Sequence, residues 1–438
     1  MNPIEIRERV AIAGATGAVG RALAAKLVGH YRLIGLSRRE PAIASLFSPD
    51  IEEWRRCELF NQPEVHDGLC GATLAFYLAG DQPRSGARLT QGRPIDLELI
   101  RADNFARAAG AQGVRHIVAL RCLARLDAEP ECELAAEQAL GGHGVAVTTV
   151  YCAPIVGEGT ALTNTLLAMS RRRGLVVCAP WTAQTAQPVA LSDVVVCLVS
   201  ALEQQGADKE RLVLVGPQRM SFRQMVERTA QLQGLNPRLL GLALGRRRTP
   251  IGPLEHGVRE PQANFCSFEV ALSDALATKL IMPAASRELS LHMAGSKNVR
   301  SVQRLPLPAG FDAEQVAHAY FRWLTLPAHI IHVVRDHEAD EVWRMYVRPL
   351  PWPALVLARV VDHGEPGRAR YAICGGLLVK RPGGFLEFLR VAGDQHVLAA
   401  IHDFVPSLWW PLYRVSQALV HVVVMRRFGR YLGRHGGG

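Results

Sequence analysis

The stretch that most constrains this chain lies near its start: Val10-Ala-Ile-Ala-Gly14-Ala-Thr16-Gly17-Ala18-Val19-Gly20-Arg-Ala-Leu23. Val10 to Ala13 is a short apolar run and reads as a strand. Helical spacing begins at about Val19 and continues to Val28. The glycines between them have separate tasks. Gly14 permits a tight turn, Gly17 lets the backbone come close to a bound group, and Gly20 allows helix and strand to touch. Unpaired N–H groups and the helix dipole then favour a negative charge at that turn. A glycine pattern alone is a weak signal. Placed after a strand, before a helix and ahead of further βα units, it predicts a pyrophosphate cradle for a dinucleotide. Gly14, Thr16, Gly17, Ala18, Val19 and Gly20 would form it.

The next strand, Tyr31 to Leu36, ends in Ser37-Arg38-Arg39. An acidic residue at such a tip would hydrogen-bond the ribose 2′-hydroxyl and select NAD, whereas arginine accommodates a 2′-phosphate. Ser37 can donate a hydrogen bond, and a guanidinium can bind phosphate with two N–H groups and stack on adenine. The tip therefore favours NADP(H), with NAD as the alternative.

Strands and helices go on alternating to about Gly216. Strands are expected at Ala72–Leu78, His116–Leu120, Val145–Val150 and Leu212–Val215. Helices are expected at Asp96–Gln112, Glu131–Leu140 and Val194–Leu202. This order predicts an α/β domain whose parallel sheet is covered on both faces. Gly241 to Pro261 holds four Gly, three Pro and Arg246-Arg247-Arg248, and reads as a linker. The expected domains are 1–245 and 246–438. The second contains helices at Phe265–Met282 and Asp312–Leu324. Strands follow at Val342–Val347, Ala354–Val361, Ala369–Val379, Gly384–Val391 and Val397–Phe404, then a long helix at Leu408–Leu432. Such an α+β unit, a curved sheet on a helix, commonly encloses an apolar cavity.

Composition removes several classes. The 438 residues are 49% hydrophobic and 21% charged, a globular balance. The formal charge of +10 is spread along the chain, with no basic stripe interleaved with aromatics. It suits an anionic cofactor and gives no sign of a nucleic-acid partner. Nine Cys without a CxxC pair argue against a disulfide framework and a zinc ribbon, and point to a reducing cytoplasm. The N-terminus carries charges of both signs, unlike a signal peptide, and no apolar run is long enough for a transmembrane segment.

Gly14-Ala-Thr-Gly-Ala-Val-Gly20, Ser37-Arg38-Arg39, Tyr77-Leu78-Ala79-Gly80 and Gly113-Val-Arg-His-Ile-Val-Ala-Leu120 together resemble the atypical short-chain dehydrogenase/reductase superfamily. The likeness is to its NmrA-like and complex I accessory-subunit-like branches. Asn104, Pro154-Ile-Val-Gly157 and Gln187-Pro-Val-Ala-Leu-Ser-Asp193 extend it over about the first half of the chain. The resemblance implies a Rossmann-type sheet. It places Leu59, after the third strand, near adenine, and Leu78, Ala79 and Gly80 where the fourth strand's tip passes the cofactor. It also implies a catalytic Ser followed by Tyr-x-x-x-Lys, and here the chain departs. The fifth strand runs into Arg121-Cys122, and the helix Glu131-Cys-Glu-Leu-Ala-Ala-Glu-Gln-Ala has neither Tyr nor Lys.

Arg121 and Cys122 stand where open α/β sheets bind ligands, so Arg121 is a candidate to orient a substrate and Cys122 a candidate acid or nucleophile. The plainer reading is a solvated Arg beside a small buried Cys. The second half resembles the helix-grip, START-like fold, on Tyr371-Ala-Ile-Cys-Gly-Gly-Leu-Leu-Val379 and Pro406-Ser-Leu-Trp-Trp-Pro-Leu-Tyr413…His421. That fold implies a hydrophobic small-molecule ligand. The combined expectation is an NADP(H)-dependent oxidoreductase acting on a hydrophobic carbonyl, enone or imine. The alternative is an NAD(P)H-binding sensor, or an assembly or carrier protein for a lipid or quinone.

Other clusters carry less. His329, His332 and His337 with Asp336 match no closed zinc-site spacing, so no metal is expected. His402-Asp403 reads as a cap between strand and helix, with cavity lining as the alternative. Trp409, Trp410 and Tyr413 read as core or cavity wall. Arg171-Arg172-Arg173 and Arg246-Arg247-Arg248 read as solvated loops.

Overall fold

Valine-, leucine- and alanine-rich runs with few charges can hide both faces, and strands of a parallel sheet must do so. Val10, Ala11 and Ile12 of β1 (Arg9–Ala13) are fully buried. β1 pairs in parallel with β2 (Arg32–Ser37) on one side and β4 (Leu74–Tyr77) on the other. β3 (Glu53–Arg56) lies outside β2, and β6 (His116–Cys122) and β7 (Ala146–Cys152) continue beyond β4. A separate strand, β5 (Leu89–Gln91), does not join this sheet. Glu210–Leu214 and Val258–Arg259 complete eight parallel strands. The chain works outward from β1 to β3, then returns beside β1 as β4. This reversal opens a crevice at the carboxyl ends of the strands, as in a Rossmann-like fold. Helix α1 (Ala18–Leu27) packs on the sheet through Leu23 and Leu27, each contributing about 1.5–3 kcal/mol.

The structure is a computed structural model. It describes residues 7–78, 89–123, 130–172, 175–178, 184–204, 210–235, 238–241, 258–259, 265–281, 299–326, 330–336, 341–360, 367–390, 396–407 and 417–435. The chain divides into two compact units, Met1–Asp81 with Asn104–Ala285, and Gln82–Asp103 with Ser286–Gly438. The divide was expected at 245/246. It falls later because Phe268, Ala271 and Leu272 of the Phe268–Ile281 helix pack with Leu166 and Met225 of the first unit. Within the stretch read as a linker, Val258–Arg259 is an edge strand of the parallel sheet.

In the second unit, Val299–Pro306 leads into the helix Ala313–Leu324. A meander follows through Ile331–Asp336, Val342–Val347, Pro353–Val360, Arg368–Gly375, Phe385–Arg390 and His396–Phe404. Each strand pairs antiparallel with the next, and the last returns to Val299–Pro306. β5 adds in parallel at that edge. The first two of these strands, and β5, had no sequence expectation. Val299–Pro306 and Ile331–Asp336 each interleave charged residues, which blunts their apolar signal. The final helix is described over Gln417–His435; 408–416, with Trp409, Trp410 and Tyr413, lies outside the described residues.

Among the described residues, aromatic rings pack between this sheet and its helices. Phe321 stacks on Trp343 at 4.4 Å, Tyr320 meets Phe428 edge-on at 5.1 Å, and Phe321 meets Tyr371 at 5.0 Å. Aromatic pairs at these distances leave no room for a guest between them. No helix among the described residues is long and apolar enough to cross a membrane.

Candidate dinucleotide site

The turn after β1 is built to the tolerance of a missing methyl group. Gly14 has φ +93°, a left-handed conformation, and a Cβ there would lie 2.9 Å from the Leu78 carbonyl oxygen. A Cβ on Gly20 would lie 2.5 Å from the Gly14 carbonyl oxygen and 2.7 Å from Ala15 Cα. Gly17 donates its N–H to Gly14 at 2.9 Å and caps α1 without a side-chain acceptor. The first turn of α1 contains no acidic residue. Its amides, which include those of Ala18 and Val19, lack intrahelical partners and point out of the helix end. Thr16 sits half-buried in the turn.

Three further tips stand beside it. Ala13 of β1 is level with Leu36 of β2 and Tyr77 of β4, and Ser37 with Arg56 of β3. The Ser37 hydroxyl accepts from the Arg39 amide at 3.1 Å, so its own proton remains for another acceptor. The two arginines separate. Arg39 lies over the Phe47 ring at 4.1 Å, and burial, then the charge of Arg38, lowers its pKa. Arg38 is exposed. Leu59 is buried after β3, and its carbonyl accepts from Asn104 Nδ2 at 2.9 Å, the residue already singled out in the sequence. Leu78 donates its N–H to Ala13 at 2.9 Å. Ala79 and Gly80 lie outside the described residues.

These features fit a dinucleotide. A Cβ at Gly14 or Gly20 would strike the chain's own backbone, so glycine at these positions lets strand, turn and helix close tightly and brings the first amides of α1 to the turn. The amides of α1 suit a pyrophosphate, Leu59 suits a flat apolar ring, and Ser37 with Arg38 suits a phosphate.

The candidate catalytic pair stands differently. Arg121 is 6% exposed, with Nη2 at 2.6 Å and Nε at 3.0 Å from Glu133 Oε2, while Cys122 is exposed. The plainer reading of a solvated Arg and a buried Cys is thus reversed. Next to it, the Tyr151 hydroxyl donates to Glu137 at 2.9 Å, and Arg211 Nε binds the same carboxylate at 2.8 Å. Burial, then Glu137, pushes the Tyr151 pKa above its usual value, which makes this phenol a reluctant acid. Glu133 and Glu137 lie on the Pro130–Leu140 helix, one turn apart. Sequence reasoning missed them, although two carboxylates at i, i+4 on a half-apolar helix were a visible signal. Glu133→Ala should cost roughly 3–5 kcal/mol of stability by leaving Arg121 buried and uncompensated, readable by urea unfolding. A loss under about 1 kcal/mol would contradict the burial of the pair.

The remaining candidates have structural partners. His332 stacks on Tyr346 at 5.1 Å, and Asp336 pairs with Arg344 at 2.6 Å; His329 and His337 lie outside the described residues. His402 caps no turn: it sits within a strand, between Glu387 at 3.2 Å and Asp403 at 3.7 Å.

No family model matches the chain. The Auxiliary protein GraX of Staphylococcus aureus (strain NCTC 8325 / PS 47) is 28% identical over 154 residues, covering 34% of this chain and 49% of GraX. The chain therefore spans about half the length of that relative. Among solved structures, MoeE5 in complex with UDP-glucose and NAD is 18% identical, with a TM-score of 0.46, covering 61% of this chain and 97% of MoeE5. The Citrobacter sp. triphenylmethane reductase complexed with NADP(H) is 19% identical, with a TM-score of 0.43, covering 53% of this chain and 79% of the reductase. These structural neighbours hold NAD or NADP(H).

Proposed function

We propose that the first unit binds NADP(H) at the carboxyl edge of its parallel sheet. The observation that carries this reading is the triple fit at Gly14, Gly17 and Gly20, where backbone closeness and helix-end amides coincide. Ser37 and Arg38 would take the 2′-phosphate, Leu59 would lie against adenine, and Leu78 with Ala79 and Gly80 would border the nicotinamide half. Arg38→Ala should weaken NADPH roughly 10- to 100-fold while changing NADH less than about threefold. Calorimetric titration of both cofactors tests this. Equal losses for both would remove the 2′-phosphate role. Arg39→Ala should affect NADPH less, since its guanidinium lies on Phe47.

Two uses of the bound cofactor follow. In the first, the chain is an oxidoreductase of atypical short-chain type that passes hydride to a carbonyl, enone or imine of a hydrophobic small molecule. The proton would then come from water, the substrate or a group other than the usual Tyr. In the second, it binds NADP(H) without turnover, as a sensor or as an assembly or carrier protein. The Arg121–Glu133 and Tyr151–Glu137–Arg211 pairs favour the second, because they engage the side chains beside the expected catalytic position in buried bonds. Purified protein mixed with NADPH and a panel of aldehydes, enones and quinones separates the two: steady NADPH oxidation ends the non-catalytic reading.

The order of strands and helices in the second unit supports the helix-grip reading. Among the described residues after Ser286, one strand and a helix precede six meandering strands, and a long helix follows them. The filled aromatic interior argues that any ligand there enters beside those rings rather than among them.

A further inference from the structure

The last 35 residues, 404–438, contain five Arg and no Asp or Glu. Three of those arginines, Arg427, Arg430 and Arg434, recur at i, i+3 and i+7 and so share one side of the Gln417–His435 helix. They border a surface hollow of about 330 Å³ whose remaining lining is Trp323 and Tyr431. The two rings lie 6.4 Å apart, and Phe428 braces both, at 5.5 Å from Trp323 and 6.3 Å from Tyr431. Basic residues near a helix C-terminus offset the dipole, and that alone would explain one or two of them. It does not explain why three converge on an aromatic hollow. Several arginines elsewhere in this unit meet carboxylates: Arg335 with Glu341 at 2.8 Å, Arg344 with Asp336 at 2.6 Å, Arg304 with Asp96 at 2.8 Å. Among the described residues, no carboxylate pairs with Arg427, Arg430 or Arg434.

We propose that this hollow is a binding site for a phosphate-bearing anion, with Arg427, Arg430 and Arg434 on the phosphate and Trp323 and Tyr431 against its apolar or aromatic body. Guanidinium groups bind phosphate with two parallel hydrogen bonds, and aromatic faces accept both flat rings and hydrocarbon. The volume falls at the lower end of small-molecule sites, about 300–1,000 Å³. The phosphate could belong to a soluble metabolite or to a lipid headgroup at a membrane surface, and the chemistry of the site is the same.

The test uses the full chain without added nucleotide, and the comparison of variants separates this hollow from the glycine turn: equal binding by the triple variant and the parent would place the anion at that turn and overturn the proposal. Inorganic pyrophosphate is titrated calorimetrically, and vesicles of phosphatidylglycerol or phosphatidylcholine are tested by co-sedimentation. Arg427→Ala/Arg430→Ala/Arg434→Ala should bind roughly 30- to 100-fold more weakly than the parent. A control with the same charge loss on the other unit, Arg219→Ala/Arg223→Ala/Arg228→Ala, should bind as the parent does. Pyrophosphate binding without vesicle retention assigns a soluble ligand; retention on phosphatidylglycerol alone assigns a headgroup. Should the triple variant melt early, Arg430→Glu alone serves in the same comparison. The proposal is overturned if the parent binds neither probe, or if the control loses binding equally.

Discussion

Replacing Gly20 with valine should leave no measurable NADPH binding, a loss of more than about 100-fold, because misplacing a binding group by about 1 Å is enough for that. The reason lies in what a side chain would strike. The two nearest atoms, at 2.5 and 2.7 Å, belong to the backbone of Gly14 and Ala15 and cannot swing aside. Gly14 in turn has no room to retreat, since the Leu78 carbonyl stands behind it. Helix α1 would have to lift from β1, carrying its first-turn amides away from the phosphates. Lifting would also uncover Leu23 and Leu27, so stability should fall by about 1–3 kcal/mol or more. Gly17→Ala provides the contrast. Its added methyl would meet only the Gly14 oxygen, at 3.1 Å, on an exposed turn, so the fold should survive with a weaker site. Calorimetric titration with NADPH, alongside thermal melts, reads both. A folded Gly20→Val protein with parental affinity would remove the dinucleotide from this turn.

The second large effect lies in the other unit. Glu387 is fully buried and held by Arg368 and by His402, itself beside Asp403, which adopts φ +57°. Arg300 reaches Asp403 at 3.7 Å, and Arg370 is the cross-strand partner of Glu387. Burial alone would raise the Glu387 pKa, but Arg368 and His402 outweigh it and hold the carboxyl well below the usual range. Burial alone would lower the His402 pKa, but Asp403 and Glu387 outweigh it and raise it. The two shifts bound a stability window. The Glu387 contribution is complete above the unfolded carboxylate pKa of about 4.3 and is lost as the pH falls toward the folded value. The His402 contribution is complete below the unfolded imidazole pKa of about 6.5 and is lost as the pH rises through the folded value. Thermal stability of this unit should therefore peak between about pH 4.5 and 6.5. Glu387→Ala should cost roughly 3–5 kcal/mol at that optimum, by stranding Arg368 without its anion. His402→Gln should flatten the alkaline limb and weaken the acid one only in part, since Arg368 remains beside Glu387. Melting temperatures from pH 3 to 9 for the three proteins test this, and a His402→Gln profile parallel to the parent's would count against it.

Sequence made the glycine turn after β1 legible because its constraints are local. A strand, three glycines and a helix occupy neighbouring positions, and each glycine answers to an atom a few residues away or on the adjoining strand. The parallel sheet was legible for a similar reason, since strands buried on both faces read as plain apolar runs. The second unit was harder. Val299–Pro306 carries Arg300 and Arg304 on a buried face, where pairing with Asp403 and Asp96 makes charge tolerable. A pattern that equates charge with exposure misses such a strand. Arg121 deceived for the same reason: its partner Glu133 comes from a different element, and only the folded chain reveals that the guanidinium is already engaged. His402 looked like a turn residue because Asp follows it, yet its setting is decided by Glu387 across the sheet.

β5 comes from between β4 and the Pro94–Ala111 helix, yet it completes a sheet whose other strands all begin after Ser286. The second unit is therefore an interrupted gene segment rather than a tail appended to a finished first unit. A recombination event that cut the coding sequence once, anywhere after residue 103, could not transfer this unit whole. It would leave behind the strand that shields the Val299–Pro306 edge, and a bare edge invites pairing with other chains. Inheritance of the two units is tied together by that short strand, so they are expected to travel through evolution as a single piece.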